Sequence, residues 1–158
     1  MDSQDMDQND NKIPKPQEKG QNFMPTKQVD FNILNELMAE IGEGSEEMIS
    51  NLITTYLNHT PTLFAAIEKA LLVNDLNTIY RSSHTLKSSS ANLGAVQLSE
   101  TAKQLEAYLK PLASSSLNSE EIDKVLLEIK PKITDLYESY AHVKVSLLDF
   151  QNKLSTIK

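Results

Sequence analysis

The chain has 158 residues, of which 39% are hydrophobic, with no cysteine and a formal net charge of −7 at pH 7. This length allows one domain with a sizeable core plus a tail, and the absence of cysteine excludes disulfides and thiolate metal sites. The acidic balance argues against nucleic acid or an anionic membrane as the main partner. Since no apolar run approaches the ~18 residues of a membrane span and no secretory signal is visible, we expect a cytoplasmic protein.

Residues 1–28 are polar and contain Pro14, Pro16 and Pro25, with almost nothing to bury. This composition predicts a disordered acidic and polar tail. Residues 29–158 are predicted to form one helical domain. Met1 and the polar leader favour a free-standing protein over an excised domain.

Apolar residues recur at helical spacing through the predicted domain, and no strand-like alternation interrupts them. A short leading helix is expected to start at an Asp30 cap and to end in the GEG at 42–44. Ser45 is the predicted cap of the next helix, which Pro61 should kink or divide. The third helix is expected to start at an Asp75 cap.

Leucines and an alanine repeating between 98 and 112 predict a fourth helix, and a serine-rich loop follows it. Ser119 is the predicted cap of a long last helix over about 119–152, which Pro131 should bend. Short connections place neighbouring helices antiparallel. The predicted fold class is therefore all-α: an antiparallel up-and-down four-helix bundle with a short leading helix, expected to be a monomer.

The third helix contains an unusual stretch, RSSHTLKSSSANLGA, at 81–95. At about 100° per residue, Leu86 and Leu93 lie on the side opposite His84. The imidazole should therefore point away from the core. Ser83 and Ser90 fall toward the core side, where small groups let helices approach.

The surroundings of His84 on the helix are small or cationic. Ser88 and Ala91 are short, while Arg81 and Lys87 lie one turn away. Because serine is a poor choice for an exposed helix position, we infer that bulk is excluded to let a partner approach. A neutral imidazole is a nucleophile, and a nearby ammonium can stabilise an incoming phosphoryl group. The chain has no glycine-rich phosphate loop, so the phosphoryl donor should be another protein.

The segment HTLKSSSANLG at 84–94 resembles the signature H-x-[LF]-K-G-[SA]-[SA]-x-x-[LIV]-G of histidine phosphotransfer (HPt) domains in multistep phosphorelays. The resemblance covers about 30–112. It implies that His84 is the phosphoacceptor, that Lys87 assists electrostatically, and that Gly94 is a conformational or packing glycine.

One departure from the signature stands at Ser88, where the family often has glycine to leave room for the partner. Serine is the next smallest polar residue, and its hydroxyl could bond the imidazole or a phosphoryl oxygen. The resemblance also includes the pair Leu105-Glu106.

The resemblance further implies a relay in which His84 accepts a phosphoryl group from a receiver-domain aspartate and passes it to another receiver. The partners would be receivers of a hybrid sensor kinase and a response regulator. The chain itself would need no cofactor, would hold no metal and would not be an enzyme, since Mg²⁺ belongs to the receiver. The docking surface is expected beside His84, at Tyr80, Arg81, Ala91, Ala95, Phe31 and Leu34.

Two other interpretations are open. A helical scaffold or degenerate HPt domain would need no reactive histidine, whereas a histidine kinase dimerisation domain would need an ATP-binding domain after it. His59 and His142 lack a cleared face and a lysine and are assigned ordinary structural or surface roles. Glu138 and His142 are interpreted as an exposed pair and not as metal ligands.

Overall fold

A computed structural model gives the fold and describes residues 28–157. The tail predicted for 1–28 thus lies outside the described residues, except for its last position. Gln28 is 9% exposed, and its side-chain oxygen accepts a hydrogen bond from the Ser139 hydroxyl at 3.1 Å. The folded domain therefore includes this residue.

The described chain forms five helices: α1 Phe31–Ile41, α2 Ser45–Leu72, α3 Leu76–Asn92, α4 Val96–Ala113 and α5 Ser119–Ile157. No strand lies within residues 28–157. Each of α2, α3 and α4 contacts the helix that follows it, and α5 also contacts α2, which closes the bundle. The predicted all-α bundle with a short leading helix is confirmed.

One core runs along the bundle, and every helix contributes a stripe to it. Burying each large apolar side chain contributes roughly 1.5–3 kcal/mol. The largest fully buried side chains of this core are Leu34, Ile49, Ile53, Ile67, Ile79, Leu86, Leu98, Leu105, Leu109, Ile129, Leu136 and Leu147. None of the helices in the described range is both long and apolar enough to cross a membrane.

The caps of α2 and α5 differ from the prediction by one residue. Ser45 is the first residue of α2, after Gly44 with a φ of 83°, and its side chain makes no capping hydrogen bond. At α5 the cap is Asn118 and not Ser119. The Asn118 side chain accepts from the Glu121 N–H at 2.8 Å, and the Glu121 carboxylate accepts from the Asn118 N–H at 2.9 Å. This reciprocal pair satisfies two otherwise unpaired donors at the helix start.

Pro61 lies inside a continuous α2, so it does not divide this helix, and the alternative expectation of a kink stays a prediction. Proline has no N–H for the carbonyl four residues earlier, which belongs to Leu57. The Tyr140 hydroxyl on α5 donates to that carbonyl at 3.4 Å. A tertiary contact thus replaces the missing helical bond. Pro131 likewise lies within an uninterrupted α5, and the bend expected there stays a prediction.

α1 lies against the end of α3. The Asp30 N–H donates to the Gly94 carbonyl at 2.7 Å, and the Asp30 carboxylate caps α1 as predicted, through the Asn32 N–H at 3.1 Å. Phe31 stacks on Phe150 of α5 with ring centroids 4.8 Å apart. Together these contacts fix the leading helix beside the C-terminal end of α3.

Candidate functional site

α3 presents His84 on its outer surface. Asp75 starts the helix as predicted, because its carboxylate accepts from the Thr78 hydroxyl at 2.6 Å and from the Thr78 N–H at 3.1 Å. These hydrogen bonds lower the pKa of Asp75 below its ordinary value. Further along, Leu86 is fully buried whereas the His84 side chain is 58% exposed. The predicted outward orientation of the imidazole is confirmed.

Glu106 on α4 binds both the imidazole of His84 and the ammonium of Lys87, which lie on α3. One carboxylate oxygen lies 2.6 Å from His84 Nδ1, and the other lies 2.7 Å from Lys87 Nζ. The Glu106 side chain is only 14% exposed. A single, mostly buried carboxylate therefore fixes the imidazole and the ammonium relative to each other.

The charge of Glu106 decides which nitrogen of His84 carries the proton. Burial opposes ionisation of Glu106, but the hydrogen bonds from Lys87 and His84 outweigh it and lower the pKa of this carboxyl. Glu106 is therefore an anion at neutral pH and can only accept hydrogen bonds. His84 must then donate through Nδ1–H. In the neutral ring, Nε2 keeps a free lone pair.

The ammonium of Lys87 has N–H donors that its pairing with Glu106 does not use. An ammonium has three N–H donors, and the pairing with Glu106 uses one of them. The Lys87 side chain is 31% exposed. Two of its N–H donors are therefore left for an anionic group that approaches from solvent.

Small residues let α3 pack closely on its neighbours. Ser83 and Ser90 are fully buried, as predicted. The Ser90 hydroxyl lies 2.8 Å from the Tyr56 hydroxyl on α2, and the Ser99 hydroxyl of α4 donates to the Lys87 carbonyl at 2.7 Å. Burial, opposed by the Ser90 hydrogen bond, raises the pKa of Tyr56 to about 12. These contacts fix the backbone that carries His84.

Glu106 is the site residue to which sequence reasoning gave no role. Its position beside the buried Leu105 and Leu109 puts an acid at the edge of the α4 stripe, between the exposed Lys103 and Lys110. That pattern is a usable signal of a carboxylate turned toward a neighbouring helix. Its partners are set by the alignment of α4 against α3, which a single-helix projection does not contain.

The remaining residues predicted for the site differ in how exposed their side chains are. Ser88, Ala91 and Arg81 are exposed on the same side of α3 as His84, while Tyr80 is half-buried. Gly94 is buried. It is a packing glycine between α3 and the residue before α1.

Two of the residues predicted for docking are corrected. Leu34 and Ala95 are both 0% exposed, because α1 and the start of α4 turn them into the core. Phe31 is half-buried against Phe150 and offers only part of its surface.

The other histidines lie apart from this arrangement. His59 and His142 are exposed on α2 and α5, and the Glu138 side chain is exposed as well. Within the part of the chain that the structure describes, no group of three or more potential metal-ligating side chains comes together.

A helical bundle in which an exposed histidine on one helix is held by a carboxylate on the adjacent helix is a histidine-presenting domain. The Hpt domain family model matches residues 51–141 of this chain. The chain therefore belongs to the Hpt domain family.

The chain is similar to Multistep phosphorelay regulator 1 of Schizosaccharomyces pombe, with 22% identity over 129 residues. That match covers 81% of this chain and 44% of the relative, so the chain spans less than half of the relative's length. It also shares its fold with histidine-containing phosphotransfer protein B (HptB) from Pseudomonas aeruginosa PAO1. The TM-score is 0.61 at 19% identity, covering 81% of this chain and 97% of that structure.

Proposed function

We propose that this chain is a histidine-containing phosphotransfer protein of a multistep phosphorelay, with His84 as the phosphoacceptor. The observation that carries the proposal is the 2.6 Å contact between His84 Nδ1 and Glu106. This contact supports a proton on Nδ1, which would leave Nε2 as the nucleophilic nitrogen of an exposed ring. Membership of the Hpt family supports the same role.

In the proposed first step, the Nε2 lone pair of His84 attacks the phosphorus of an aspartyl phosphate on a receiver domain. The N–P bond forms as the P–O bond to the aspartate breaks, and the aspartate leaves as a carboxylate. Nδ1 keeps its proton, and the positive charge that develops on the ring faces the Glu106 carboxylate. Electrostatic stabilisation of developing charge is typically a large part of such catalysis.

The second step reverses this chemistry on another receiver. Its aspartate oxygen attacks the phosphorus, the N–P bond breaks, and His84 leaves as a neutral imidazole. Lys87 is proposed to stabilise the phosphoryl oxygens in both directions. The chain acts as a covalent relay intermediate, and any Mg²⁺ is held by the receiver. We further propose a cytoplasmic location and a monomer, since the bundle closes its own core.

The receivers would be those of a hybrid sensor kinase and a response regulator, and we propose that they dock over a groove between α1, α2 and α3. Ile33, Leu37 and Leu52 line it with Ala91, which lies about 10 Å along α3 from His84. Glu36 and Glu40 lie at its edge. This surface fits a receiver face with an apolar centre and basic residues around it.

Reversing the charge at this edge should weaken docking without changing the chemistry. We expect a Glu36→Lys and Glu40→Lys double variant to raise the KM for the receiver roughly tenfold at low salt, with kcat almost unchanged. The measurement is the rate of transfer against receiver concentration at two ionic strengths.

The matched control is a Glu120→Lys and Glu128→Lys double variant, which makes the same charge change at exposed positions of α5. An equal rise in KM for both double variants would show that net charge, and not this groove, governs docking.

The proposed function is tested by incubating the full chain with a phosphorylated receiver. We expect a phosphoryl label that is labile in acid and stable in base, and that maps to the tryptic peptide of residues 82–87. Absence of label with every receiver of the source organism would favour the scaffold interpretation.

Glu106→Gln keeps the shape of the side chain but removes its charge. We expect the rate of phosphoryl transfer to fall about tenfold, because a charge-assisted hydrogen bond becomes a neutral one. The fall should be constant across neutral pH, since the lowered pKa of Glu106 keeps it ionised there. ¹⁵N NMR of the imidazole should show a smaller share of the Nδ1–H form.

The control for this variant is Glu100→Gln, an exposed carboxylate on the same helix. If Glu106→Gln transferred as fast as Glu100→Gln, the bridging carboxylate would have no role in the reaction.

A further inference from the structure

We propose that the Ser88 hydroxyl hydrogen-bonds the phosphoryl group carried by His84 and thereby lengthens the lifetime of the phosphorylated protein. The inference rests on the proposed function, because it concerns the group that His84 would carry. It assigns a specific role to the residue at which this chain departs from the glycine of the family signature.

Ser88 lies one helical turn after His84, and both side chains are exposed. Residues four apart on a helix are neighbours, with their Cβ atoms about 5–6 Å apart. Side chains on a helix tilt toward its N-terminus, so Ser88 extends over the turn that carries His84.

The ring orientation selects the side of His84 on which Ser88 acts. Glu106 holds Nδ1 toward α4, and Lys87 is paired to the same carboxylate on that side. Nε2 therefore faces away from α4. At about 100° per residue, Ser88 lies on the opposite side of His84 from Lys87, so a phosphoryl group on Nε2 would lie toward Ser88.

The Ser88 hydroxyl is also available to donate a hydrogen bond to a group carried by His84. Other hydroxyls of α3 are used within the protein: Ser83 donates to the Ile79 carbonyl at 2.8 Å, and Thr85 donates to the Arg81 carbonyl at 3.2 Å. Ser88 does not make the corresponding bond to the His84 carbonyl, and its hydroxyl has no protein partner within residues 28–157. A phosphoryl oxygen would give it a charged acceptor, the stronger kind of hydrogen bond.

The test compares the lifetime of the phosphohistidine in variants of the full chain. Each protein is phosphorylated by a phosphorylated receiver, separated from it, and followed by ³¹P NMR as the phosphoryl group hydrolyses. We expect Ser88→Ala to shorten the half-life about fivefold and to shift the ³¹P resonance, while Ser88→Thr, which keeps the hydroxyl, stays within about twofold of the parent.

Ser88→Gly separates the hydroxyl from the bulk of the side chain. If the hydroxyl acts, glycine should shorten the lifetime as alanine does. Ser155→Ala, at an exposed helical serine on α5, is the matched control and should change nothing.

The inference is overturned if the parent accepts the phosphoryl group and Ser88→Ala keeps the parent lifetime. It is also overturned if glycine speeds transfer while both variants keep that lifetime, because Ser88 would then act through its bulk. A parent protein that accepts no label at all would instead overturn the proposed function.

Discussion

We expect His84→Gln to abolish acid-labile phosphorylation, with transfer from a phosphorylated receiver reduced at least about 1,000-fold. Glutamine has no ring nitrogen that can attack phosphorus, and removing the nucleophile of a covalent reaction typically has effects of this size. Because the His84 side chain is 58% exposed, the substitution creates no cavity and should leave the fold intact. The label on the chain measures the loss, and circular dichroism with thermal unfolding checks the fold.

The other two histidines supply controls for this experiment. His59→Gln and His142→Gln change exposed residues on α2 and α5 and should keep the full label. Label that persisted in His84→Gln but disappeared in either of the others would move the phosphoacceptor to that residue.

Gly94→Ala should lower the free energy of unfolding by about 3 kcal/mol or more. Gly94 has a φ of 82°, which costs other residues roughly 1–2 kcal/mol. In addition, a Cβ at this position would lie 2.5 Å from the Asp30 carbonyl oxygen, which is backbone and cannot rotate away. The residue before α1 would have to move, so we expect the midpoint of thermal unfolding to fall by roughly 10 °C.

Gly44→Ala is the matched comparison because Gly44 is left-handed, with a φ of 83°, but has no atom within 4 Å of an added Cβ. This variant should lose only the backbone contribution, about 1 kcal/mol. The difference between the two variants measures the close approach of α1 to the end of α3. Equal losses would mean that this approach contributes nothing to stability.

The helices could be predicted from sequence because each apolar stripe is a local property of its own segment. Cap positions were harder where two candidates were adjacent. Ser45 follows a glycine that already sets the turn, and Asn118 precedes Ser119 with Glu121 at the spacing that completes a capping box. Continuity through Pro61 could not be predicted, because the compensating hydroxyl of Tyr140 lies on a distant helix.

The candidate site likewise has features that one helix determines alone and features that depend on packing between helices. The outward direction of His84 follows from the residues of its own helix, so it can be predicted from the sequence. The bond to Glu106 depends on how α4 aligns with α3, and the burial of Leu34 and Ala95 depends on which faces α1 and α4 cover. These are properties of packing between helices, which no single periodicity encodes.

The hydroxyl of Tyr140 also bears on how the chain folds. Its acceptor, the Leu57 carbonyl, lies 83 positions away in sequence, and the loss of a helical bond at Pro61 is compensated only when the two meet. An isolated peptide of α2 should therefore break near its middle, and truncation before residue 140 should carry that break into the domain. This long-range contact thus completes one of the central helices of the bundle, and we expect that part of α2 to form late in folding.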